Sequence, residues 1–234
     1  MKLLTFKSLA LTLLLSVSCA TKNEPAMTPE FNGIDVSHHQ GRIDWRTVAE
    51  SYANIEFVYI KGTEGATYID PRCLHNAREA KKNGLQIGIY HYFRMTSTPE
   101  AQFENYKHVM ELAKPDLIPM VDVETADGHS AEEAKRNLRK FLALVKKEYG
   151  VEPMIYGTMR SYNSLCAPDF NDHILYIARY GKERPVIKGP YHYDIWQYTD
   201  KASLKGIEKP VDLCRFHQDC DIRSLTCPSP SRSE

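Results

Sequence analysis

Eight short apolar runs constrain this chain more than any other feature: residues 33–37, 56–61, 86–92, 118–123, 153–158, 174–179, 193–198 and 211–216. Each is rich in Ile, Val, Tyr or Phe and is bounded by Gly, Pro, Asp or Asn, the punctuation of strands. Helical signals separate the early runs. Asp70 is placed as an N-cap with Pro71 at the first helical position, and Gly84 is placed to stop that helix. Thr98-Pro99 opens a second helix that ends before Pro115, and Ser130 with Glu133 forms the capping box of a third. Leu138, Phe141, Leu142 and Val145 mark one buried face of that third helix, and Gly150 closes it. Strands alternating with helices imply a parallel sheet covered on both faces. The connections after residue 179 and after residue 198 are instead rich in Gly, Pro and Lys and carry no helical period. A parallel return needs about a dozen residues and usually a helix, so some late strands are expected to pair antiparallel. The expected fold is α/β, an eight-stranded TIM-like barrel with late helices missing or reduced. The other arrangement of such elements is a doubly wound open sheet, but no GxGxxG or GxxxxGK[ST] follows any strand.

The barrel is expected to occupy residues 31–217. Ahead of it, residues 1–19 read as a signal peptide: Lys2 and Lys7 precede an uncharged apolar run far shorter than the roughly 20 residues of a spanning helix. Cys19 follows that run as a lipoprotein-like lipidation site, and residues 20–30 form a polar tether. Residues 218–234 are a cysteine-containing C-terminal tail. Export permits disulfides, but without Cys19 five cysteines remain, an odd number; Cys220 and Cys227 are the simplest pair, although spacing does not fix connectivity. No CxxC spacing or histidine cluster suggests structural zinc. With 42% hydrophobic residues the chain can bury a large core, and 30 basic residues against 30 acidic ones argue against a protein that grips nucleic acid by a basic surface. Removing the leader takes two lysines and no acids, leaving 28 against 30.

In a parallel α/β barrel the chemistry sits at the C-terminal ends of the strands. One such end reads Pro119-Met120-Val121-Asp122-Val123-Glu124. Alternate residues of a strand share a side, with alpha carbons about 6.6 Å apart, so Asp122 and Glu124 can face one cavity. Partial burial and mutual repulsion would raise the pKa of one of them, placing a proton donor beside an ionised partner, as glycosidic cleavage requires. The plainer alternative is an Asp that caps the next turn and a solvated Glu. Asp35 and Asp212 are also flanked by aliphatic residues, and the first and last strands of a closed barrel are neighbours, so these two acids join the same mouth. Four carboxylates could also hold magnesium or calcium. The histidine pattern of metal phosphodiesterases is missing, and neither metal nor cofactor is expected. His38 and His39, adjacent at a strand end, are expected to turn different ways, and His91 reads as a hydrogen-bonded core or rim histidine. Tyr90, Tyr92, Tyr156, Tyr180, Trp196 and Tyr198 fall at or near strand ends, where amphipathic rings suit a saccharide groove, although aromatic residues also favour strands generally.

These residues resemble the glycoside hydrolase family 25 lysozymes. The resemblance is carried in order by Gly33-Ile34-Asp35-Val36-Ser37-His38-His39-Gln40-Gly41 with Ile43-Asp44-Trp45, by Phe57-Val58-Tyr59-Ile60-Lys61 with Glu64-Gly65, and by Gly88-Ile89-Tyr90-His91-Tyr92-Phe93. It continues through Pro119 to Glu124, Ile155-Tyr156, Ile195-Trp196-Gln197-Tyr198 and Val211-Asp212-Leu213. It implies an incomplete α/β barrel that hydrolyses the β-1,4 bond between N-acetylmuramic acid and N-acetylglucosamine. In that reading Glu124 is the general acid and Asp122 assists, as nucleophile or by orienting the acetamido group. Asp35 and Asp212 line the cleft, while Tyr90, Tyr92, Tyr156, Trp196 and Gln197 bind substrate. Cys214 stands where the family often has a polar residue, and the tail beyond Phe216 has no family counterpart. The chain is thus expected to be exported and to act as a monomer on peptidoglycan strands at the bacterial envelope, meeting the membrane only through lipid on Cys19; with ordinary cleavage nearby instead, it would be periplasmic or secreted. A barrel that binds sugar without cleaving it, or one that cuts another acetamido-sugar polymer, are the rival readings.

Overall fold

The computed structural model describes residues 30–189, 192–217 and 219–227, so the leader, Cys19 and the tether up to residue 29 lie outside the described residues. Nine strands form one sheet: β1 (Gly33–Val36), β2 (Phe57–Glu64), β3 (Tyr68–Ile69), β4 (Ile87–Tyr92), β5 (Met120–Asp122), β6 (Met154–Thr158), β7 (Leu175–Ala178), β8 (Ile195–Ala202) and β9 (Val211–Phe216). Eight of them close a barrel, because β1 pairs with both β2 and β9, while β3 only extends β2 as a short hairpin. All barrel pairings are parallel except those of β9, which runs antiparallel to β8 and β1. This is the late antiparallel strand that the helix-poor connections called for.

Helices α1 (Trp45–Ser51), α2 (Cys73–Lys82), α3 (Pro99–Ala113), α4 (Ala131–Tyr149) and α5 (Met159–Leu165) connect the early strands. Among the described residues no helix lies between β7 and β8 or between β8 and β9, so the late helices are missing as expected. Thr98 caps α3 by accepting the amide of Ala101, and Ser130 with Glu133 forms the capping box of α4. Gly150 then stops α4 with φ at 71°, a conformation open to glycine at little cost. The α4 face of Leu138, Phe141, Leu142 and Val145 is buried against the outside of the barrel. The start of α2 differs from expectation. Its N-cap is Arg72, because the Asp70 carboxylate is buried and takes the backbone amide and ring nitrogen of His38 as well as the Arg72 amide.

The inside of the barrel is filled by large side chains from one strand set against small ones from the next. A methyl group on Gly33 would lie 2.2 Å from the Phe57 ring, and one on Gly88 would lie 2.2 Å from the Tyr59 ring. Met120, Met154, Tyr156, Tyr176, Ile195 and Cys214 complete this inner core. Its floor is made by the tail. A final helix, α6 (Ile222–Leu225), places fully buried Leu225 under the barrel, with the Leu225 carbonyl accepting the Ile118 amide at 2.8 Å. Thr226 bridges to Leu117, and the Cys227 amide donates to Asp116. The stretch 219–227 is thus a plug rather than a free appendage. Cys220 and Cys227, the simplest disulfide pair by sequence, are both free thiols packed at this floor, and Cys73, Cys166 and Cys214 are free and buried.

Candidate active site

Strand register gathers the acids at one mouth. Tyr92, Asp122 and Tyr156 are direct partners on β4, β5 and β6, so the carboxylate that ends β5 stands between two tyrosines. Glu124 follows two residues later. Asp35 pairs with Asp212 across the β1–β9 seam. Because β9 runs against its neighbours, its first residues reach the mouth at which the parallel strands end. The result is a cavity of about 290 Å³ lined by Asp35, Asp122, Glu124 and Asp212, with Tyr90, Tyr92, Tyr156, Tyr180 and Lys61 around them.

Asp35 is held by donors. Its Oδ2 accepts the Tyr176 hydroxyl at 2.7 Å, the Gln197 amide nitrogen at 2.8 Å and the Cys214 thiol at 3.5 Å. Tyr176 and Cys214 also touch each other. The carbonyl oxygen of Gln197 accepts the hydroxyls of Tyr156 at 2.9 Å and Tyr180 at 3.2 Å. Gln197 thus lies buried beneath the cavity, where it ties two tyrosines to Asp35.

The four acids do not share one protonation behaviour. Burial pushes Asp122 well above the usual carboxylate range; the charge of Glu124 adds to this and Lys61 opposes it. One Asp122 oxygen, Oδ1, is buried with no hydrogen-bond partner. Glu124 is also raised, by burial and then by Asp35, with Lys61 and the Tyr92 hydroxyl pulling the other way. Asp35 and Asp212 behave as a pair. Burial raises both, and the facing Asp35 charge takes Asp212 to about 9. The donors on Asp35 favour its ionised form, so the shared proton resides on Asp212. The site thus combines protonated and ionised carboxyls within one small cavity, which is the requirement for acid-assisted bond cleavage.

The structure places Asp35, Asp122, Glu124, Asp212, Tyr90, Tyr92 and Tyr156 on this cavity. It does not bring Trp196 there. On β8 the side chains alternate, and with Gln197 turned inward, Trp196 turns outward. Its indole N–H donates to the Arg179 carbonyl at 2.7 Å, and its ring packs under Arg215 on the outer face beside Tyr198. His38 and His39 do not diverge; they sit in a short 3-10 turn with ring centroids 4.0 Å apart. His91 is a core histidine, with its two ring nitrogens facing Thr63 and Gln102. Sequence reasoning assigned no role to Lys61, whose ammonium bonds Glu64 at 2.7 Å and lies 4.9 Å from the Tyr92 ring centre. Its signal was a lysine at the mouth end of an otherwise apolar strand.

Residues 34–207 match the family described as glycosyl hydrolases family 25. The chain belongs to that family, and it is a glycoside hydrolase of the lysozyme class. It is 35% identical over 187 residues to an autolytic lysozyme of Clostridium acetobutylicum, covering 80% of this chain and 56% of that protein. It is 33% identical over 189 residues to the uncharacterized protein YegX of Escherichia coli K12, covering 80% of this chain and 69% of that one. Among solved structures, a family 25 glycosyl hydrolase from Bacillus anthracis superposes with a TM-score of 0.73 at 28% identity, covering 81% of this chain and 90% of that chain.

Proposed function

We propose that this chain cleaves the β-1,4 bond between N-acetylmuramic acid and N-acetylglucosamine in peptidoglycan, with Glu124 as general acid. The observation that carries the reading is the juxtaposition of Asp122 and Glu124 on one cavity with the Asp35–Asp212 pair facing them. Glu124, raised by burial and by the Asp35 charge, keeps its proton and gives it to the departing sugar oxygen. Asp122 stabilises the positive charge that grows at the sugar carbon, directly or by holding the acetamido group, and Lys61 favours the ionised form that this needs. Its unpartnered Oδ1 supplies the free acceptor either role needs. Tyr90, Tyr92 and Tyr156 offer ring faces to the sugars, and Gln197 positions Tyr156 and Tyr180 from below. Digestion of purified peptidoglycan followed by borohydride reduction should give fragments ending in reduced muramic acid. Fragments ending in reduced glucosamine would refute the bond assignment, and faster release from chitin would refute the polymer.

The same reading puts the enzyme at the bacterial envelope, tethered by lipid on Cys19. Cells fed radioactive palmitate should label the full chain but not its Cys19→Ala variant. Equal label in both removes the anchor.

A further inference from the structure

The catalytic cavity shares a wall with a second, larger groove of about 680 Å³, and His39 and Lys61 line both. The charge changes across that wall. The cavity sets four carboxylates against one lysine, whereas the groove sets Lys61 and Arg94 against Glu64. Arg94 reaches Glu64 at 3.4 Å and Asp127 at 3.0 Å, which leaves further guanidinium donors unused, and its side chain is 32% exposed.

The groove is rigid. The Asp70 carboxylate takes both the backbone amide and Nδ1 of His38, at 2.9 Å and 2.8 Å, which fixes a ring that stays partly exposed. Across from it, the β2–β3 hairpin is pinned to α3 by Asn105, whose side-chain amide donates to the carbonyls of Gly65 and Tyr68 at 3.0 Å and 3.1 Å. The Tyr68 ring stands exposed on that hairpin. The hydroxyl of Ser97, also on the groove, is buried with no partner.

We propose that this groove binds the acidic peptide branch of the substrate. The inference rests on the muramidase reading. Muramic acid carries a lactyl ether from which a short, carboxylate-bearing peptide extends, so a bound glycan must route an anionic branch out of the cleft. The cavity, lined by four carboxyl groups of which Asp35 is ionised, is a poor place for it. The adjoining groove offers it two cations, an oriented imidazole, a free hydroxyl and an aromatic face.

The test compares kcat and KM on peptide-bearing glycan strands with those on strands stripped of peptide by an amidase. The wild-type enzyme should favour peptide-bearing strands about fivefold to tenfold in kcat/KM, the scale of one or two partly exposed charge-assisted contacts. That ratio should fall towards one in Arg94→Gln, through KM, and also in Thr67→Trp, which fills the groove from an exposed position. It should weaken as salt is added. A wild-type ratio near one, or a ratio unchanged in both variants with their melting temperatures intact, overturns the groove assignment while leaving the muramidase reading in place. If neither kind of strand is cut, the muramidase reading itself fails.

Discussion

Glu124→Gln should lose about three orders of magnitude in kcat on peptidoglycan while keeping its fold. A general acid supplies roughly 100-fold to 10,000-fold, and an amide in its place fills the same space without a proton to give. Glu124 is half-buried at the cavity and glutamine keeps its size and shape, so the melting temperature should stay within a few degrees. The pH profile carries the same assignment. Glu124 must be protonated to act, so activity falls as pH rises through its pKa. Since that pKa is raised above the ordinary 4.5 by burial and by Asp35, the alkaline limb should lie above that of a free glutamic acid. Removing the charge in Asp35→Asn should draw the limb back towards lower pH. A Glu124→Gln enzyme that cuts at the wild-type rate would sink the assignment.

Leu225→Ala should cost about 2–5 kcal/mol, the range for emptying a fully buried leucine site. For a domain of this size that corresponds to a fall in melting temperature of roughly 5–15 °C. The loss arises at the barrel floor, where Leu225 packs with Phe57, Tyr59, Leu117 and Ile118. The catalytic acids are at the opposite mouth, so the rate per folded molecule should hold at temperatures where the variant is folded. An unchanged melting temperature would mean that the tail does not plug the barrel.

The strands and the acids were legible because both are local signals. A run such as 118–123 announces its burial, and two carboxylates at its end cannot be bland inside an apolar strand. The phase of β8 was not legible in the same way. Trp196 and Gln197 are neighbours, one must point in and the other out, and only pairing with β7 and β9 decides which. Asp70 shows the same limit from another side: an Asp before a Pro has the local chemistry of a cap, but His38, 32 residues away, claims its carboxylate. The seat of the tail under the barrel was not legible because its composition is polar. Its buried contacts come from isolated residues, Leu225 with Cys220, Ile222 and Cys227 about it, and these carry no period to read.

The reversal of β9 also orders events in folding. The contact between Cys214 and Asp35 spans 179 residues, nearly the whole described domain, and it lies on the seam that closes the sheet into a cylinder. Contacts of that span are made against the largest loss of chain entropy and so tend to form late. Until the seam shuts, Asp122 and Glu124 stand at the end of a central strand without the opposing pair, whose Asp35 charge adds to the burial that raises their proton affinities. The constellation of four carboxyl groups is therefore complete only once the last strand is in place.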